Sequence, residues 1–365
     1  MVRVAIVSPS FSSADAVTND ALGMFDVLAR HGHEVRLFCE SHSLRQPRIG
    51  ELTDVSGFLK NPGDIFLLHH SRGWSDGVEL LQQLNCRRAI KYHNVTPARF
   101  FAGFSSYDEE QCELGRKQLT DLARANCELY LSASAFSMRE LLAAGASEAK
   151  SFVVPPFHHI DRLAKLPPDQ ATVEKYSDGA ANILAVGRVV PHKGYLQLIE
   201  VFAHYFHEYN RNSRLVIVGK GGEGFSPYSK QLRRAVERAG LKSAVVFAGS
   251  VSDEVLKAWY VVADVFVTAS EHEGFCVPLV EAMSMKLPIA AFASSAIPET
   301  VGDAGIVWSE RNPLLLAESI DLFLRDSSVR NALGLRGLRR YESTFSNQKI
   351  EERFIAALGG MDLLA

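Results

Sequence analysis

The sequence is short of most features that would assign it quickly. Its five cysteines, Cys39, Cys86, Cys112, Cys127 and Cys276, are odd in number and form no CxxC pair. Neither a structural zinc site nor a disulfide framework is therefore expected, and a reducing compartment fits best. An excess of positive charge is also lacking: 39 Lys and Arg stand against 42 Asp and Glu, a formal net charge of -3. Neither side of residue 160 is basic, so no nucleic-acid partner is expected. A balanced total still leaves room for a local patch at a membrane surface. No run approaches the roughly 18 apolar residues of a membrane span. The opening MVRVAIVSPSFSS has a shorter apolar core than a secretory signal. The expected setting is the cytoplasm, with peripheral association at the inner membrane face allowed. The chain has no G-x-S-x-G nucleophile elbow, no internal repeat and no low-complexity tract. The pairs His69–His70 and His158–His159 lack a third ligand at metal spacing, so they read as loop residues and no metal is expected.

What the sequence does contain is a rhythm of short apolar runs and helical stretches. At 365 residues, two domains is the default division, with a cleft between them as a natural ligand site. Val2 to Ser8 reads as a buried strand, a polar loop and helix follow, and Glu34 to Cys39 completes a βαβ unit. Further strands are expected at Ile65–His69, Ala89–His93, Leu129–Ser132 and Ser151–Val154. PPFHHIDRLAKLPPDQ, with two Pro-Pro pairs, disfavours a regular element and puts the hinge between Pro155 and Gly179. The alternation then restarts: NILAVG, a helix near Tyr195–Tyr209, RLVIVG, a helix near Lys230–Ala239, VVFAG, a helix near Val255–Ala263, and VFVTAS. The fold class is α/β, with two parallel-sheet Rossmann-like domains at residues 1–160 and 161–346.

The candidate chemistry lies beyond the carboxyl ends of the second-domain strands, where open α/β sheets bind ligands. In EHEGFCVPLVEAM a strand turns through Gly274, Pro278 stands where a helix begins, and Glu281 lies one turn inside. The backbone N–H groups of Phe275, Cys276 and Val277 can then face a phosphate, aided by the helix dipole. Glu273 and Glu281 would flank that anion site, although either glutamate alone is more often a solvated side chain. In VGRVVPHKG, Arg188 and Lys193 would supply fixed positive charge for a diphosphate without a metal; each alone also reads as a solvated loop cation. The glycine-rich GKGGEG after Val218, starting at Gly219, would let backbone approach a ligand, but it lacks the ending of a P-loop. In KYHNVTPARFF, His93 ends an apolar strand with Asn94 beside it. Either could hydrogen-bond a sugar hydroxyl, or be satisfied by nearby backbone.

Taken in order and spacing, VGRVVPHKG, LVIVGKGG, VVFAGSVSDEVLKAWYVVADVFVTAS, EHEGFCVPLVEAM and IPETVGDAG resemble the second domain of family 4 retaining glycosyltransferases of GT-B fold, glycosyl transferases group 1. The resemblance runs over residues 182–307. It implies two Rossmann-like domains facing a central cleft, the first binding the acceptor and the second the nucleotide sugar. The C-terminal helix, from Asn347, would return to the first domain. By the same resemblance Arg188 and Lys193 hold the diphosphate, Glu281 the ribose hydroxyls, and Glu273 lies near the donor sugar. His93 matches the first-domain histidine at the transferred sugar. The co-substrate would be a UDP- or GDP-sugar, with no separate cofactor, and the acceptor a saccharide or lipid-linked molecule of surface polysaccharide synthesis. The absence of a D-x-D triplet agrees with a metal-independent reaction.

Three departures from the family pattern stand out. SPSFSSADAVTND replaces the Gly-Gly loop after the first strand, leaving Asp15 and Asn19 as acceptor contacts. Cys276 stands where glycine is common, and its Cβ leads to the expectation of an ordinary backbone conformation there. Lys286 stands where glycine often precedes LP. Rival readings are a sugar-nucleotide epimerase, a phosphorylase, for which no pyridoxal lysine is evident, and a non-catalytic nucleotide-sugar-binding protein.

Overall fold

The structure is a computed structural model that describes residues 2–12, 15–44, 49–221 and 226–359. Chain contacts divide it into two compact units. One takes the residues up to Arg99, Tyr107–His159 and the chain from Asn347 onward; the other takes Phe100–Ser106 and Ile160–Ser346.

The first unit is built on a parallel sheet of β1 (Arg3–Val7), β2 (Glu34–Cys39), β3 (Ile49–Glu51), β4 (Ile65–His70), β5 (Arg87–Tyr92), β6 (Leu129–Ser132) and β7 (Ser151–Val153). Its spatial order is β3-β2-β1-β4-β5-β6-β7. The second unit holds β8 (Ala181–Val186), β9 (Ser213–Val218), β10 (Val245–Gly249), β11 (Val265–Thr268), β12 (Ile289–Phe292) and β13 (Gly305–Trp308), in the order β10-β9-β8-β11-β12-β13. Every pairing in both sheets is parallel. Parallel strands covered on both faces are largely apolar, and IFLLHH in β4 is buried at all six positions, its two terminal histidines included.

Both sheets therefore have the doubly wound order in which the strand sequence reverses beside the first strand of the sheet. In the first unit the reversal falls between β1 and β4, in the second between β8 and β11, and ligands of such sheets bind beyond the carboxyl ends at that crevice. The GT-B fold class expected from the sequence is the one observed.

The helix Asn347–Gly359 packs into the first unit's core, where Ile350, Phe354, Ala357 and Leu358 join Val4, Leu28, Ile65 and Leu129. Arg30 and Glu351 pair on its rim at 2.8 Å.

Several local expectations need correction. The segment between the two Pro-Pro pairs is not irregular: Ile160–Lys165 is helical, and Gln170–Tyr176 forms a second helix capped by Asp169. The prolines lie outside those helices, where a missing N–H costs nothing. His69 and His70 are not loop residues but the buried end of β4. The strands β3, β12 and β13 and the long helix Ser106–Arg124 went unread. Among the described residues no helix is long and apolar enough to cross a membrane.

Candidate functional site

The switch point of the second unit brings two loops together. After β8 the chain runs through Gly187 and Arg188 into the short turn Pro191–Lys193, and then into the helix Tyr195–Glu208. After β11 it runs through Ala269–Cys276 into the helix Val277–Ser284. The two loops are tied by backbone, with the Glu271 N–H donating to the His192 carbonyl at 2.7 Å. Gly194, at φ 65°, allows the close approach: a Cβ there would lie 2.0 Å from the Ala269 carbonyl oxygen.

That approach sets Lys193 against Glu273. The Lys193 ammonium donates to both carboxylate oxygens, at 2.7 and 2.8 Å, with both side chains largely shielded from solvent. Arg188 is exposed and makes no ion pair among the described residues, so its guanidinium remains available to an anion. His192 is buried between these cations and against Phe101. Desolvation first, then Lys193 and Arg188, hold its imidazole well below the ordinary range and so neutral.

Glu281, one turn into the helix Val277–Ser284, is buried and accepts the Tyr260 hydroxyl at 2.6 Å. Pro278, which has no N–H, lies in the first turn, and the Leu279 N–H donates to the Cys276 carbonyl at 3.1 Å. Gly274 is half-buried in the turn before it, and Phe275 packs edge-on against Phe345 while its carbonyl accepts the Thr300 hydroxyl.

Cys276 contradicts its expectation. Its backbone is left-handed, at φ 75° and ψ 71°, so the residue fills a glycine conformation rather than an ordinary one. The turn geometry that presents Glu273 overrides the local preference of a residue with a Cβ. We expect Cys276→Gly to change stability by no more than about 1 kcal/mol, since relieved strain offsets the lost thiol, whereas the β-branched Cys276→Val should cost about 2 kcal/mol or more. Urea denaturation of the two variants decides this.

Arg311 was not legible as a site residue, yet it braces this region. Its guanidinium donates to the Ala269 carbonyl at 2.6 Å, to that of Ser270 at 3.3 Å and to Gln197, and lies 5.0 Å from the Phe292 ring centre. It thereby links the end of β11 to the helix that follows Lys193. Beyond the ends of β8, β9 and β10 lies a cavity of about 240 Å³ walled by Gly219, Gly221, Gly249, Phe247, Ser229 and Arg233 among others. The rest of the glycine-rich loop, from Gly222, lies outside the described residues.

At the switch point of the first unit, four polar side chains converge. Asp20, on the helix Ala16–Arg30, accepts the Phe157 N–H at 2.8 Å. Its other oxygen lies 3.4 Å from the Lys91 ammonium and 3.5 Å from His93 Nε2, and His93 Nε2 is 3.0 Å from His69 Nδ1. Asp20, Lys91 and His69 are fully buried or nearly so. Desolvation drives Asp20 up and Lys91 down, each opposed by the attraction of the other. Asp20, His69 and His93 offer ligand atoms within 4.8 Å of one another. That is a donor set a transition ion can use, but the Lys91 ammonium, 3.4 Å from the same Asp20 oxygen, would repel a dication there. We therefore read the group as a hydrogen-bonded polar cluster that orients His93.

The three expected acceptor contacts have internal partners. Asp15 caps the helix Ala16–Arg30 by accepting from Thr18, Asn19 meets His159 at 3.3 Å, and Asn94, at φ 76°, donates its amide to Glu140 at 2.7 Å. Of the small residues around Asp15, Ser13 and Ala14 lie outside the described residues.

Burial also gives the first unit a pH signature. Desolvation lowers His69 to about 3 and His70 to about 4. Both are neutral in the folded chain, whereas the unfolded chain takes up protons below about pH 6.5. Stability contributed by these groups is thus complete above pH 6.5 and falls as pH drops toward 4. Each should cost about 2 kcal/mol by pH 5. Melting curves from pH 7.5 to 5 should show the loss, with a shallower slope for His70→Gln.

The second unit, which holds the Lys193–Glu273 pair, also contains the stretch that a known family model matches. Residues 170–340 fit the family model described as glycosyl transferases group 1. This stretch belongs to that family. Part of the chain is also similar to curated proteins. O-antigen chain mannosyltransferase B of Escherichia coli is 31% identical over 156 residues, covering 42% of this chain and 40% of that protein. A GDP-mannose-dependent alpha-(1-6)-phosphatidylinositol monomannoside mannosyltransferase of Mycobacterium tuberculosis is 27% identical over 215 residues, covering 56% and 54%. The matches thus span about half the length of these relatives. Among solved structures, a sucrose-phosphate synthase from Thermosynechococcus elongatus covers 100% of both chains at 18% identity with a TM-score of 0.78, which establishes the shared fold around the group 1 domain.

Proposed function

We propose that the protein is a retaining, metal-independent glycosyltransferase. It moves a hexose-type sugar, with mannose the first choice, from a UDP- or GDP-sugar to a saccharide or lipid-linked acceptor in surface polysaccharide synthesis. The observation that carries this reading is the two-point contact between Lys193 and Glu273 at the switch point of a group 1 domain. The names of the relatives, mannosyltransferases of O-antigen and of a phosphatidylinositol mannoside, support the sugar and the kind of acceptor.

The unliganded pair is already charge-balanced, so an incoming diphosphate competes with Glu273 for Lys193. Arg188, Lys193 and the N–H groups of Phe275, Cys276 and Val277 then stabilise the departing diphosphate, Gly274 leaves room for its approach, and Gly219 lets its loop close on the Gly187 carbonyl beside Arg188. Glu273, released from Lys193, orients the sugar hydroxyls and stabilises positive charge at the anomeric carbon. Glu281, held by Tyr260, takes the ribose hydroxyls. His93, kept neutral by burial and by neighbouring His69 and Lys91, hydrogen-bonds the transferred sugar. With no enzyme nucleophile required, the leaving phosphate oxygen accepts the acceptor proton on the same face, which retains configuration. Asp15, Asn19 and Asn94 would reach an acceptor only by giving up their present partners, so the acceptor site rests on the family resemblance.

The test is incubation with GDP-mannose or UDP-glucose and a panel of mannosyl and lipid-linked acceptors. Acceptor-dependent release of nucleoside diphosphate, with an α product by NMR from an α donor, is the expected result. Epimerised donor, or binding without turnover across the panel, would overturn it.

A further inference from the structure

The cavity beyond β8, β9 and β10 is lined by neither Lys193 nor Glu273. Gly221 and Gly249 leave an open slot faced by backbone, a Cβ on them meeting only Ser229 Oγ at 3.4 Å or nothing within 4 Å, while Gly219 packs against the Gly187 carbonyl. Phe247 contributes an aromatic face, and among the described residues only Ser229 and Arg233 bring polar side chains. A slot with bare backbone, one ring and the aliphatic side chains of Val189, Ile217 and Leu232 suits a flat heterocycle. Arg233 projects from the helix Ser226–Arg238, and its guanidinium carbon lies 5.8 Å from the Phe247 ring centre, a cation–π contact that holds it at the wall.

We propose that Arg233 selects guanine as the base of the donor nucleotide, an inference that rests on the nucleotide-sugar reading above. The argument is one of donor and acceptor matching. A guanidinium offers five donors in a fixed fork and no acceptor. Guanine presents two adjacent acceptors, O6 and N7, which that fork meets in parallel; adenine puts an N6 donor beside N7 and opposes it. Uracil separates its two carbonyl acceptors by an N3–H donor, so it can satisfy one arm of the fork only. The small hydroxyl of Ser229 can donate or accept and does not reverse this preference.

Calorimetric titration of the full chain with GDP, IDP, 7-deaza-GDP, UDP and ADP tests the assignment. GDP should bind at least about 10-fold more tightly than UDP or ADP, the scale of one two-point base contact. IDP, which keeps O6 and N7, should stay within about 3-fold of GDP, while 7-deaza-GDP, which lacks N7, should fall toward UDP. Arg233→Met should weaken GDP by about 10- to 100-fold and UDP by less than about 3-fold. Arg233 is exposed on its helix, so this variant should keep the wild-type melting temperature. Equal or tighter binding of UDP or ADP by the wild type, or an unchanged GDP-to-UDP ratio in Arg233→Met, overturns the guanine assignment and leaves the transferase reading intact. Failure of all five nucleotides to bind overturns both.

Discussion

Lys193→Ala and Glu273→Ala are each expected to lower turnover by at least about 100-fold, the loss seen when one contact to developing charge is removed. The two variants should nonetheless differ in kind. Lys193→Ala removes a cation from the leaving group and strands the Glu273 carboxylate, whose side chain is only 7% exposed. A stranded anion beside the diphosphate site repels the donor, so KM should rise as kcat falls. Glu273→Ala frees Lys193 for the diphosphate, so donor binding should hold or tighten while kcat alone collapses. Initial-rate kinetics on the two variants, with melting curves to confirm folding, give the comparison. Wild-type turnover in both would sink the assignment of this pair to the reaction.

Asp20→Ala should be the most destabilising of the substitutions considered, at about 3–5 kcal/mol, because it leaves Lys91 buried without its counter-charge. It also removes the acceptor of the Phe157 N–H. Asp20→Asn keeps an acceptor for that N–H and should cost less. In Asp20→Ala/Lys91→Met no uncompensated charge remains, and most of the loss should return, a non-additivity typical of directly interacting groups. Urea denaturation followed by tryptophan fluorescence, with the two units allowed separate transitions, measures all three. A cost below about 1 kcal/mol for Asp20→Ala would mean that Lys91 loses its proton with little penalty.

What could be read from the sequence follows from burial. β1, β4 and β9 are covered on both faces and so appear as apolar runs, and the Lys193 and Glu273 loops follow such runs at fixed offsets. β12 and β13, IAAF and GIVW, carry alanine and glycine, residues depleted in strands, which weakens their signal beside the equally short β6 and β11. The Asp20–Lys91–His69–His93 cluster escaped because a charge within an apolar pattern reads as a solvated face. Only the pairing of β4 with β5, which sets His69 against Lys91, puts two of its members side by side. Cys276 failed for the opposite reason: local preference was clear, and the turn that carries Glu273 overrode it. Arg311 has no periodic or motif signal, since its value lies in carbonyls 41 and 42 residues away.

The helix Asn347–Gly359 completes a core whose first strand is Arg3–Val7, so the first unit closes on itself only after nearly the whole described chain has been made. The second unit, almost continuous from Ile160 to Ser346, has all its strands in hand sooner. On the ribosome the order of completion should therefore run against the order of synthesis: the later unit matures first, while the earlier one waits with Val4, Leu28 and Leu129 uncovered. A chain stalled before Ile350 would present that apolar surface to chaperones, and pulse proteolysis of stalled chains would find the amino-terminal unit cleaved and the group 1 domain protected.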